Sequence, residues 1–97
     1  MPPERSQVDL HGMSREAAQR AVERALHAAR VRGDAQVLLI TGRGYGNKLQ
    51  QPVLRNHIEA WLRGPEGRAR GVRALRVVSR GGALEVDLSG GADKRAR

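Results

Sequence analysis

The chain has 97 residues, 18 Lys+Arg against 10 Asp+Glu, three His and no Cys, giving a formal net charge of +8. That length makes one compact domain with little room for a second, and the missing cysteine excludes disulfide staples, thiolate nucleophiles and Cys-ligated zinc. No apolar run approaches the roughly 18 residues needed to cross a bilayer, and Met1-Pro2-Pro3-Glu4-Arg5 lacks a signal-peptide hydrophobic region, so a soluble cytoplasmic protein is expected.

In chain order, residues 1–6 read as an N-terminal tail, 7–89 as the domain and 90–97 as a basic C-terminal tail without periodicity. Val8-Asp9-Leu10-His11 alternates as a short strand, with Asp9 and His11 on one face. Gly12 breaks it, Ser14 suits a helix N-cap, and Glu16 favours the helix dipole. From Arg15 to about Arg32 the apolar stripe Ala18, Ala21, Val22, Ala25, Leu26 and Ala29 has helical spacing, and Gly33 is a natural stop. Val37–Ile40 is an apolar strand suited to the sheet centre, followed by the glycine-rich loop Thr41–Lys48. Pro52 suits the first position of a second helix with the stripe Leu54, Ile58, Trp61 and Leu62. A basic loop, Arg63–Gly71, precedes a strand over Val72–Val78; Arg80-Gly81-Gly82 then turns into the alternating strand Ala83–Leu88. The order β-α-β-α-β-β predicts an α/β two-layer sandwich. It has a four-stranded mixed sheet, both helices on one face, two parallel β-α-β crossovers and a closing antiparallel hairpin.

Three groups of residues carry chemistry. Asp9 and His11 offer an imidazole near neutral pH beside a carboxylate that orients it or stabilises its charge, although a surface Asp and a structural His fit the same pattern. The loop Thr41-Gly42-Arg43-Gly44-Tyr45-Gly46-Asn47-Lys48 fails the Walker A and dinucleotide fingerprints. Its glycines after a buried strand still allow backbone amides to converge on an anion, with Arg43 and Lys48 as countercharge; a flexible connector is the plainer reading. The basic segment Arg63, Arg68, Arg70, Arg73, Arg76 and Arg80 has only Glu66 opposing it along the chain and no interleaved aromatic. It suits backbone phosphates of DNA or RNA better than base recognition, against the alternative of a solvated basic face. Sixteen of the basic residues are Arg, whose planar fork fits phosphate. A membrane surface is not the expected partner, His27 and His57 read as packing or surface residues, and a metal site is poorly supplied.

Together these residues resemble the small MutS-related (Smr) domain family. The similarity lies in Val8-Asp9-Leu10-His11-Gly12 with Glu16-Ala17, in Thr41-Gly42-Arg43-Gly44, in Pro52-Val53-Leu54 through Trp61-Leu62, and in Gly81-Gly82-Ala83-Leu84 with Val86-Asp87-Leu88. The resemblance covers residues 8–89. It implies a fold like the C-terminal domain of bacterial translation initiation factor three and an endonuclease that nicks or cleaves DNA or RNA. Asp9 and His11 would inherit the catalytic or nucleic-acid-contacting role, and Gly42 and Gly44 the loop role. Thr41 stands in the catalytic set where some members carry His; if cleavage needs two acid/base groups, Tyr45 or Lys48 would have to substitute, or the activity is weak. Gly42, Arg43, Gly44, Tyr45, Lys48 and Arg80 are the expected nucleic-acid contacts. No metal ligands are assigned among these residues; the expected endonuclease is metal-independent or weakly metal-dependent, with Mg2+ or Mn2+ the cations to test. The alternatives are a non-catalytic nucleic-acid-binding adaptor in DNA repair, recombination or ribosome quality control, and a module that docks on a ribosome or repair-protein partner.

Overall fold

The computed structural model describes residues 6–42 and 53–88. The expected tails beyond these bounds, and Pro52, lie outside the described residues. The elements run β1 (Ser6–Asp9), α1 (Arg15–Arg32), β2 (Gln36–Ile40), α2 (Val53–Arg63), α3 (Pro65–Ala69), β3 (Val72–Val78) and β4 (Ala83–Leu88). They form the expected α/β sandwich on a four-stranded mixed sheet in the order β1-β2-β4-β3.

Helix α1 begins and ends where its caps dictate. The Ser14 hydroxyl accepts from the Ala17 amide, and Gly33, at φ 83°, turns the chain out of the last turn. Its small-residue stripe of Ala18, Ala21, Val22, Leu26 and Ala29 is buried, which lets the helix lie close against the sheet. Val37 and Leu39 from β2, Leu75 from β3, Leu84, Val86 and Leu88 from β4, and Ile58 and Leu62 from α2 complete one core, so both long helices share one face of the sheet. Each fully buried Leu, Ile or Val contributes about 1.5–3 kcal/mol relative to exposure.

Three features differ from the sequence reading. The first strand starts at Ser6 and stops at Asp9, so Ser6 belongs to the sheet rather than to a tail. Ser6 pairs with Val37 in the ladder and donates to Asp34 at 2.7 Å; Leu10 then drops into the core, and a Met13 amide to Leu10 carbonyl bond starts the turn that carries His11. Second, the basic stretch after Arg63 holds a short helix. Pro65 supplies its first turn, and Gly67 is pressed so closely on α2 that a Cβ there would lie 1.9 Å from the Leu62 carbonyl oxygen. Third, β4 inserts between β2 and β3, a strand order that the sequence reading did not give, while the closing antiparallel β3–β4 hairpin is as expected. Strand β4 buries Leu84, Val86 and Leu88, whereas β3 exposes Arg73, Ala74, Arg76 and Val77; the more polar strand takes the edge, where charge is tolerated. Strands β2 and β3 therefore run parallel without being neighbours, each antiparallel to β4.

The register aligns one rim. Asp9 pairs with Ile40, Ile40 with Ala83, and Ala83 with Val78, so the C-terminal ends of β1, β2 and β3 and the start of β4 meet in a single row. Gly67→Ala tests the packing of α3. Its methyl has to displace backbone, so a loss of about 2–3 kcal/mol is expected in urea unfolding, and a change under 0.5 kcal/mol would contradict the close approach.

Candidate active site

Asp9 ends β1, and its carboxylate turns back on the residues that follow. Asp9 Oδ1 accepts from the His11 amide at 3.1 Å and meets His11 Nδ1 at 2.6 Å. The backbone bond fixes the carboxylate and the side-chain bond fixes the ring, leaving Nε2 on the far side of the imidazole for a ligand. The pair meets through this turn, not through strand alternation, because His11 lies past the end of β1. Both side chains are open to solvent, at 70% exposure for His11 and 54% for Asp9.

The hydrogen bond from His11 holds the Asp9 carboxyl below its ordinary value, and the same bond raises the His11 imidazole above 6.5. The charged pair is thus favoured between the two shifted values. The contribution of His11 is fully present below the ordinary imidazole value and lost as pH rises through its raised one. That of Asp9 is present above the ordinary carboxyl value and lost as pH falls through its lowered one.

The neighbouring part of the rim is tied by one carbonyl. Gly82 O accepts from the Thr41 and Gly42 amides, each at 2.9 Å. Thr41 is buried, and its hydroxyl makes long contacts of 3.3 and 3.4 Å to the carbonyls of Gly42 and Gly82. The Gly42 amide is therefore engaged within the fold and is not free to receive an anion. What Gly42 supplies is a backbone conformation: it sits at φ 82°, where a side chain would be strained, and a Cβ there would stand in ordinary contact, 3.5 Å from the His11 Cβ. His11 is thus brought against the start of the glycine loop. Arg43, Gly44, Tyr45 and Lys48 lie outside the described residues.

Arg80 is exposed in the turn between β3 and β4, two residues before the Gly82 carbonyl, which puts it at the same rim. Ser79 and Arg80 both hold φ 55° and Gly81 holds φ 92°, a run of left-handed backbone that stores strain beside the site. Arg55, on the first turn of α2, donates to the Gly81 carbonyl at 3.3 Å and so braces this turn. Nothing in the sequence pattern singles out Arg55, because its partner lies 26 residues away. A cleft of about 380 Å3 opens near the start of α1, lined by Arg15, Glu16, Gln19, Arg20 and His57, with His57 Nε2 3.3 Å from Gln19 Oε1. The described residues contain no group of three or more His, Cys, Asp or Glu that could hold a metal. Asp9 and His11 alone do not make a closed ligand set, so no step is derived through a cation.

The family model described as the Smr domain matches residues 8–89. The chain belongs to the Smr family. That family is one of nuclease and nucleic-acid-binding domains. Among solved structures, the Smr domain of Thermus thermophilus MutS2 is similar at 30% identity and TM-score 0.69, over 86% of this chain and 96% of that one. YdaL, a stand-alone small MutS-related protein from Escherichia coli, shares the fold at TM-score 0.72 and 23% identity; the match covers 89% of this chain and 66% of YdaL. No curated protein matches the chain. No helix among the described residues of this Smr domain is long and apolar enough to cross a membrane.

Asp9→Asn removes the anion that raises His11 while keeping a similar side-chain shape. In an NMR titration the His11 pKa should fall toward 6.5; an unchanged midpoint would show that the two side chains are not coupled in solution.

Proposed function

We propose that this Smr domain binds DNA or RNA through the phosphate backbone and nicks or cleaves phosphodiester bonds at the rim where β1 and β2 end. The observation that carries the reading is the Asp9–His11 pair, fixed by two hydrogen bonds and set against Gly42. In this scheme Asp9 keeps His11 protonated and aimed, and His11 Nε2 presents a proton to the oxygen that leaves phosphorus. Water supplies the incoming oxygen, so one P–O bond forms as another breaks. Gly42 leaves room for the phosphate beside the ring. Thr41 acts as a positioning residue that ties the end of β2 to Gly82 through its amide and hydroxyl. Arg80 lends its charge to the backbone, and Arg43, Gly44, Tyr45 and Lys48, which come within six residues after Gly42 in the sequence, are the further contacts proposed. The net charge of +8 favours a polyanion.

A second reading, a nucleic-acid-binding adaptor without catalysis, is favoured by Thr41. Its hydroxyl faces backbone carbonyls, so Asp9 and His11 are the proton-transfer pair at this rim among the described residues. A cleavage panel separates the two readings: labelled single-stranded RNA, duplex DNA and branched DNA, each with and without Mg2+ or Mn2+. Endonuclease activity should fall by about 10²–10⁴-fold in His11→Ala, and Asp9→Asn should shift the alkaline limb of the pH profile to lower pH. Steeply salt-dependent binding without cutting on any substrate selects the adaptor, and equal cutting by wild type and His11→Ala removes His11 from the chemistry.

A further inference from the structure

The basic residues after α2 divide by what they touch. Arg76 spans Glu85 and Asp87 at 2.9 and 3.1 Å on the open face of the sheet. Arg70 lies 5.5 Å from the Trp61 ring centroid, with Glu66 at 3.4 Å and Glu23 at 3.8 Å, which pins α3 to α1 and α2. These two charges are answered inside the fold. Arg63, Arg68 and Arg73 instead converge on a cleft of about 310 Å3 with Leu62, Val72 and Leu75. No acidic residue lines it among the described residues.

Two backbone devices bring the three guanidinium groups together. Gly67 seats α3 directly on the end of α2, which puts Arg68 near Arg63. The β3–β4 register shifts between Val72 and Ala74, so Arg73 is the unpaired residue of a bulge, a geometry that re-aims a side chain. Arg63, itself exposed, donates to a half-buried i,i+4 partner, Glu59 Oε2, from Nε at 3.2 Å and from Nη2 at 3.0 Å, and is the most engaged of the three. Arg68 and Arg73 are therefore the two charges on which the cleft chiefly depends.

We infer that this cleft is a second phosphate-binding site, seating the backbone of the same nucleic acid whose reacting bond lies at His11; the inference rests on that proposed function. Val72 lies at the far end of β3 from Val78, which shares the rim row with Asp9. Six strand steps separate the cleft from that row by about 20 Å, or about six phosphates along one strand of a duplex. The cleft therefore sets direction and register of the bound strand while the rim does the chemistry, and it reads phosphate without reading bases.

The experiment measures affinity for labelled duplex DNA and single-stranded RNA across a salt series, using wild type, Arg68→Ala/Arg73→Ala and Arg68→Lys/Arg73→Lys. Both side chains are exposed, and circular dichroism verifies that the variants fold. The alanine pair should make the plot of log affinity against log salt shallower by about 1.5–2, equally for unrelated sequences. The lysine pair, which keeps the charge, should retain the wild-type slope. Steep salt-dependent binding by wild type with no change in the alanine pair overturns this inference and leaves the proposed function standing. Absence of salt-dependent binding by wild type overturns both.

Discussion

The rim of this domain is held by one acceptor. The Gly82 carbonyl takes the amides of both Thr41 and Gly42, so the chain leaving β2 is tied to the turn entering β4 before the glycine loop begins. Everything nearby inherits its position from that tie. Gly42 is held beside His11 at φ 82°, a left-handed conformation that favours glycine, and Thr41 is buried with its hydroxyl turned to the backbone. Arg55 secures the same turn from α2 through the Gly81 carbonyl. A buried carbonyl that satisfies two amides is costly to leave unpaired, which gives the junction its rigidity.

Against that fixed rim, the Asp9–His11 pair is open. Its two hydrogen bonds are local, spanning two residues, and its exposure lets a phosphate approach without rearrangement. Mutual stabilisation keeps the carboxylate ionised and the imidazole more basic than usual, the state suited to meeting a polyanion and donating a proton to it. Burial would give stronger pairing at the expense of access. The strained Ser79–Gly81 turn, the left-handed Gly42 and the solvent-facing imidazole together form a preorganised backbone carrying an accessible acid-base group.

The positive charge is distributed in a way that net charge does not describe. Arg76 and Arg70 stabilise the outer sheet face and the α2–α3 junction, whereas Arg63, Arg68 and Arg73 gather around an apolar floor. Along the chain only Glu66 lies within this basic run, yet Glu23, Glu59, Glu85 and Asp87 approach it in space. Linear order cannot separate the arginines paired within the fold from those gathered at the cleft, because the acidic partners come from α1, α2 and the neighbouring strand.

Local signals were enough for much of the architecture. The Ser14 and Gly33 caps bound α1, the Ala-rich stripe marks its buried face, the alternation of Leu84, Val86 and Leu88 marks β4, and Asp9 two residues from His11 puts a carboxylate within reach of an imidazole. Each of these depends on interactions within a turn or two of chain, where residue identity and backbone preference decide the outcome. Tertiary structure decided the rest. It placed β4 inside the sheet, committed the Gly42 amide to Gly82 and recruited Arg55 to the Gly81 carbonyl. It also folded Pro65–Ala69 onto α2 and sorted the arginines by their partners. Those outcomes come from competition among distant residues for the same buried acceptors, core volume and countercharges, and that competition is settled only when the whole sheet and both long helices are assembled.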